Sequence, residues 1–183
     1  MVVETDLEAR IASLESSLKT FEENDAKRAN SLSILVFSGT FDRLMASFTI
    51  ALGAAAMGVQ VTMFFAFWGV GALRTRRGFS GKSPCEQAIS AMLPACASQA
   101  NPSRWSFAGL GRRMFRFLLR RRNMPQLEEM ISLARESGVR FICCETSTAM
   151  LGIRDYELMS GVPSGGVATF LEAAYGGQVT LVM

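Results

Sequence analysis

Two adjacent cysteines, Cys143 and Cys144, stand in the stretch FICCETSTAMLGIR (Phe141–Arg154). The apolar, β-forming pair Phe141–Ile142 precedes them, and ETSTAML reads as the first turns of a helix. A strand that hands a side chain to a helix start places it at the C-terminal edge of a sheet, where open α/β folds bind ligands. The unpaired N–H groups and the dipole at a helix start favour an anion. A thiol held there is stabilised as thiolate, its pKa of about 8.5 falling by several units. The spacing therefore predicts thiol chemistry at Cys144. Successive strand residues point to opposite faces, so the pair cannot share one pocket. Cys143 is read as a small core hydrophobe. For Cys144 the same reading competes with the functional one.

Composition narrows the chemistry. The 183 residues contain no histidine, which removes the usual general base, the Ser–His and Cys–His dyads and the commonest metal ligand. The other cysteines, Cys85 and Cys96, form no CxxC pair and no zinc spacing, so neither a metal site nor a cofactor is expected. With 49% hydrophobic and 19% charged residues, the chain reads as core-rich and globular. A net charge of +3 implies no partner by itself. The acidic start, MVVETDLEAR, lacks a signal-peptide pattern, and the expected setting is cytoplasmic with reduced thiols.

The elements that must carry Cys144 follow from periodicity. Residues 1–30 read as a separate helical segment: Leu7, Ile11, Leu14, Leu18 and Phe21 make a heptad seam, with Thr5 or Asp6 as cap. That seam predicts either coiled-coil oligomerisation or docking onto the body. Residues 31–183 read as one α/β domain, a parallel sheet flanked by helices. Leu32–Phe37 is a buried strand, Ser38-Gly39-Thr40 a strand-to-helix turn in which Thr40 or Asp42 caps the next helix. Leu44–Leu73 carries no charge, but Met57–Val61 divides it into a small-residue helix and a Val/Thr/Phe strand. Peripheral membrane contact is expected there in preference to spanning. Arg74–Lys82 reads as a basic surface loop, and Pro84–Leu93 as a short helix between Cys85 and Cys96. Were that segment to fold over Cys144, Cys85 or Cys96 could act as a second, resolving thiol. Pro125–Ser137 is a helix feeding the Val139–Cys143 strand. Ser164 is expected to cap a helix over Val167–Tyr175, and Val179–Val182 closes the sheet.

Arg104–Arg122 interleaves Arg104, Arg112, Arg113, Arg116, Arg120, Arg121 and Arg122 with Trp105, Phe107, Phe115 and Phe117. As a helix it is basic and amphipathic, suited to an anionic lipid surface, an acidic protein or, least, nucleic acid. A plain solvated face is the alternative. Arginines near a reactive thiol would also hold anionic sulfur species.

The motifs SILVFSGTFD, GVQVTMFFAFWG, GVRFICCETSTAMLGI and GVPSGGVATFLEAA, in this order over Leu32 to Val182, resemble the DsrE/DsrF-like family. Within it, the likeness is to the branch found beside rhodanese and TusA-like sulfur carriers. The resemblance implies a DsrE-type parallel sheet, homo-oligomeric assembly and a sulfur carrier or sulfurtransferase that passes a persulfide or thiosulfonate between partner proteins. It puts the carrier thiol at Cys144; Cys85 and Cys96 fall where the family varies most. Thr146 and Ser147 are then candidates for hydrogen bonding to bound sulfur, and Arg112, Arg113 and Arg116 for charge stabilisation or docking. The rival reading is a non-catalytic membrane-surface or scaffold module built on the apolar run and the arginine helix.

Overall fold

Five short segments, most of them apolar, pair in parallel into one sheet in the order β4-β3-β2-β1-β5. These are β1 (Ser31–Val36), β2 (Gln60–Phe65), β3 (Arg140–Cys144), β4 (Ser164–Gly165) and β5 (Val179–Val182). The computed structural model describes residues 2–28, 30–103 and 110–183, and side chains for 10–23, 30–103 and 110–183. Register aligns Ile34 with Met63 and Met63 with Phe141, so one sheet face stacks apolar side chains strand by strand. Helices α2 (Phe41–Ala56) and α5 (Leu127–Glu136) cover that face, where Phe48 packs against Phe65 and Phe141. The opposite face is thinner: Phe64, Ala66, Ile142 and Cys144 lie beneath Phe170 of α7 (Val167–Gly176). Continuous apolar strands are what a sheet covered on both faces demands.

The uncharged Leu44–Leu73 stretch divides as expected into α2 and β2, and no described helix is long and apolar enough to cross a membrane. It ends in a 3₁₀ helix, Phe67–Leu73, that folds back over the strand ends. Only glycine fits at Gly69, where a Cβ would stand 2.1 Å from the Val36 carbonyl oxygen.

Several local expectations are corrected. Helix α1 (Val2–Arg28) begins before Thr5 and Asp6, which lie inside it and cannot cap it. Thr40 precedes α2, but its hydroxyl pairs with Ser38 Oγ at 3.1 Å, and the Asp42 carboxylate accepts from Ser103 N and Oγ. Burial pushes the Asp42 carboxyl up, yet those Ser103 bonds outweigh it and hold it below the usual range. Ser164 belongs to β4, paired with Cys143, and Gly166 precedes α7 instead. Pro125 lies outside α5; the Gln126 N–H donates to Glu129 Oε2 at 2.9 Å to close the helix start.

The larger correction concerns Arg74–Lys82. Arg74 and Lys82 are not on a surface loop: both side chains are fully buried around the equally buried Glu157. Arg74 Nη2 lies 2.5 Å from Glu157 Oε2, Lys82 Nζ bonds Oε1, and the Gly78 and Arg154 N–H groups donate to the same carboxylate at 3.1 Å. The acidic partner comes from a turn 83 residues downstream of Arg74, which local composition does not reveal. Through Arg74, which also donates to the Pro94 carbonyl, the cluster straps the 74–96 segment, with α3 (Pro84–Met92) inside it, to the end of the fold.

Candidate functional site

The sheet's C-terminal edge is built from the segments that follow β1, β2 and β3. Cys144 is the last residue of β3 and the residue before α6 (Glu145–Leu151). Strand alternation sends its neighbour Cys143 into the main core, where it is 0% exposed, and sends Cys144 to the α7 side, where it is 6% exposed. Burial, with Cys144 and Asp155 adding to it, pushes the Cys143 thiol up to about 12. At neutral pH Cys143 is therefore protonated and inert, a packing residue as expected. Helix α6 has only 7 residues, so its macrodipole adds little, and what distinguishes Cys144 is its place at the strand end.

Helix α6 then locks the neighbouring turn. Ser147, buried, accepts a hydrogen bond from the Phe67 N–H at 2.9 Å. Phe67 has φ +46°, an uncommon conformation for a residue with a bulky side chain, and its backbone is held there by that bond. The Thr148 hydroxyl turns back onto the Glu145 carbonyl, whereas Thr146 is exposed on the first turn. Of the two hydroxyls named from sequence, Thr146 is thus the one left open to a ligand, and Ser147 is engaged in positioning. Gly152, with φ +62°, ends α6; a Cβ there would meet the Glu86 side chain at 2.8 Å, so only glycine lets α3 approach.

The remaining thiols lie on the strapped segment. Cys85 is exposed in the first turn of α3, which Ser83 and Glu86 close with a capping box. Cys96 is half-buried, 3.0 Å from Ser98 Oγ, and lines a mostly apolar cavity of about 330 Å³. The Ser38–Thr40 turn, Trp68, Met92 and Leu93 are among the residues of its walls. Cys144 does not line this cavity. Arginines fix its far side: Arg74 Nη1 donates to the Pro94 carbonyl at 3.1 Å, Arg77 Nη2 to that of Leu93 at 2.7 Å, and Arg112 Nη1 to that of Gln99 at 3.0 Å. Sequence reading missed this cavity; the only signal was the apolar spacing of Ile89, Met92 and Leu93 around the cysteines.

Arg104, Trp105 and Phe107 lie outside the described residues. From Leu110 to Arg121 the basic stretch is helix α4, docked through Phe115, whose ring centroid is 6.1 Å from that of Phe41. Arg112 is committed to Gln99 and Arg116 pairs with Glu128 at 3.6 Å, while Arg113 is exposed. No group of His, Cys, Asp and Glu that could hold a metal occurs among the described residues.

A parallel α/β domain with free thiols at and beyond the carboxyl ends of its strands defines the class. The chain belongs to the DsrE/DsrF/DrsH-like family, which it matches over residues 28–182. It is 35% identical over 154 residues to the uncharacterized protein YrkE of Bacillus subtilis (strain 168), covering 81% of this chain and 93% of that one. It is 24% identical over 152 residues to the sulfur carrier protein DsrE2 of Allochromatium vinosum, covering 78% and 91%. The crystal structure of the ychN protein from E. coli shares the fold, with a TM-score of 0.51 at 14% identity over 84% of this chain and 99% of that one.

Proposed function

We propose that this protein is a sulfur carrier, holding a sulfur atom on a cysteine and passing it between partner proteins. The observation that carries the reading is Cys144, a free thiol at the carboxyl end of β3 and on the opposite face from inert Cys143. Membership of the family and the likeness to a relative named as a sulfur carrier support a role in sulfur relay.

The chemistry needs no histidine. The Cys144 thiolate attacks the outer sulfur of a donor persulfide; one S–S bond forms, the donor's S–S bond breaks, and the donor leaves as thiolate. An acceptor thiolate then attacks the outer sulfur on Cys144 and releases the Cys144 thiolate. No electron is gained or lost overall. Thr146 donates a hydrogen bond to the held sulfur. At 6% exposure a sulfur held on Cys144 is shielded from water, and transfer requires a small local opening. TusA-like or rhodanese-like carriers in the cytoplasm are the proposed partners, and the α1 seam the proposed contact between copies in a homo-oligomer. A second reading rests on exposure: Cys85, open to solvent, is the thiol that meets the partner.

Intact-mass spectrometry of the reduced protein after a persulfide donor, and separately after tetrathionate, tests this. A mass gain lost in Cys144→Ser and kept in Cys85→Ser and Cys96→Ser assigns Cys144. A gain lost only in Cys85→Ser assigns the second reading. No adduct with either reagent refutes the carrier function.

A further inference from the structure

Helix α4 presents a face that neither the fold nor the thiol site uses. Gly111, Phe115 and Leu119 turn toward the body. Leu110, Met114 and Phe117, spaced by four and three, fall on one outward stripe and are 68%, 50% and 62% exposed. Arg121 continues that stripe, Arg113 and Arg120 flank it, and Arg122 follows; all four are exposed. None of these four side chains has a hydrogen-bond or ion-pair partner among the described residues, unlike those of Arg112 and Arg116.

Water is a poor environment for an unbroken apolar stripe, and free guanidinium groups beside it attract anions. A helix with bulky apolar residues on one side and arginines alongside lies in the plane of a lipid interface, its apolar side chains among the acyl chains and its arginines at headgroup phosphates. Long arginine stems allow Arg121 to reach back to the headgroups from within the stripe. Nucleic acid or an acidic protein would satisfy the charge, but solvent-facing Leu110, Met114 and Phe117 would gain little on a phosphate backbone. We propose that α4 is a peripheral docking surface for an anionic lipid bilayer. This is independent of the thiol assignment.

The test is co-sedimentation of the full chain, under reductant, with phosphatidylcholine vesicles and with vesicles of equal parts phosphatidylcholine and phosphatidylglycerol. Short duplex DNA serves as a parallel probe. The wild type binds the anionic vesicles and not the neutral ones. Replacing Arg113, Arg120 and Arg121 together by Gln lowers affinity roughly 100-fold, at about fivefold per arginine. Phe117→Ser lowers it roughly tenfold while leaving DNA retention unchanged. These positions are exposed, and unchanged thermal melting of each variant confirms folding. Absence of vesicle binding, equal binding by Phe117→Ser, or binding of DNA alone overturns the proposal.

Discussion

Glu157→Gln isolates the strap that carries Cys85 and Cys96. In the wild type one buried carboxylate serves two buried cations, Arg74 and Lys82, so the cluster holds a net +1 with all three side chains at 0% exposure. Burial alone pushes the Glu157 carboxyl up, but hydrogen bonds from Lys82, the Arg154 and Gly78 N–H groups and Arg74 prevail and hold it below the ordinary range. Glutamine keeps the shape and an acceptor oxygen but raises the buried charge to +2. Breaking a buried pair in this way costs about 3–5 kcal/mol. That is a large fraction of the roughly 5–15 kcal/mol of a typical domain, and for a chain of this size it lowers Tm by about 6–20 °C. Lys82→Met makes the opposite change: it removes the surplus cation and leaves Arg74 paired with Glu157. It should cost less than Glu157→Gln, and the double variant, back at net +1, should recover much of the loss. Urea unfolding at pH 7 and differential scanning calorimetry read both. Because the folded-state carboxyl lies below its unfolded value of about 4.3, the stabilisation is complete above that pH and fades as pH falls through the folded value. Acid should therefore narrow the gap between wild type and Glu157→Gln. The reasoning fails if Glu157→Gln costs under 1 kcal/mol, or if Lys82→Met costs as much.

Ser147→Ala leaves the Phe67 N–H without its partner at a left-handed residue, and should cost about 1–3 kcal/mol in the same unfolding assay. Alkylation of the native protein with iodoacetamide, followed by mass spectrometry, should modify Cys85 first and Cys96 more slowly. Cys143 should react only after unfolding, since its thiol is fully buried and pushed up to about 12. Leu14→Asp with Leu18→Asp places charge in the exposed seam of α1 and should shift sedimentation toward monomer. In the heptad register, Arg10 and Glu15 flank the seam as complementary charges for a parallel pair.

Much of the architecture was legible because burial on both sheet faces writes itself into sequence as apolar runs. LSILVF, VTMFF and RFICC read as strands without any knowledge of their partners, and the alternation of Cys143 and Cys144 follows from the pleat alone. What could not be read is whatever depends on distant pairing. Glu157 neutralises residues 74–82 from far along the chain, so a basic, glycine-containing stretch looked like a solvated loop and proved to be a buried strap. Ser164 has the ordinary signature of a helix cap, yet β3 recruits it as a strand because Cys143 and Cys144 offer an unpaired edge. The same limit explains the cavity: its walls come from the ends of β1 and β2 and from α3, which have no local sign of meeting.

The three thiols other than Cys143 differ in access, and access is what the fold controls. Cys144 is held by the sheet and shielded under Phe170; its position is set by the register of β3 with β2 and β4. Cys85 and Cys96 ride on a segment whose place depends on one carboxylate, on Gly152 admitting Glu86, and on arginines that grip the carbonyls of Leu93, Pro94 and Gln99. Arg74, Arg77 and Arg112 are spent on that strap, and among the described residues the outward face of α4 remains a basic surface without side-chain partners. A carrier that must be both loaded by one partner and unloaded by another needs a protected thiol together with a surface that chooses who approaches. Under the proposed carrier function, β3 with α6 would meet the first requirement, and the proposed lipid contact of α4 would set where partners are met. Substitutions on α4 should accordingly change where the protein resides without changing the intrinsic reactivity of Cys144 toward a small-molecule persulfide.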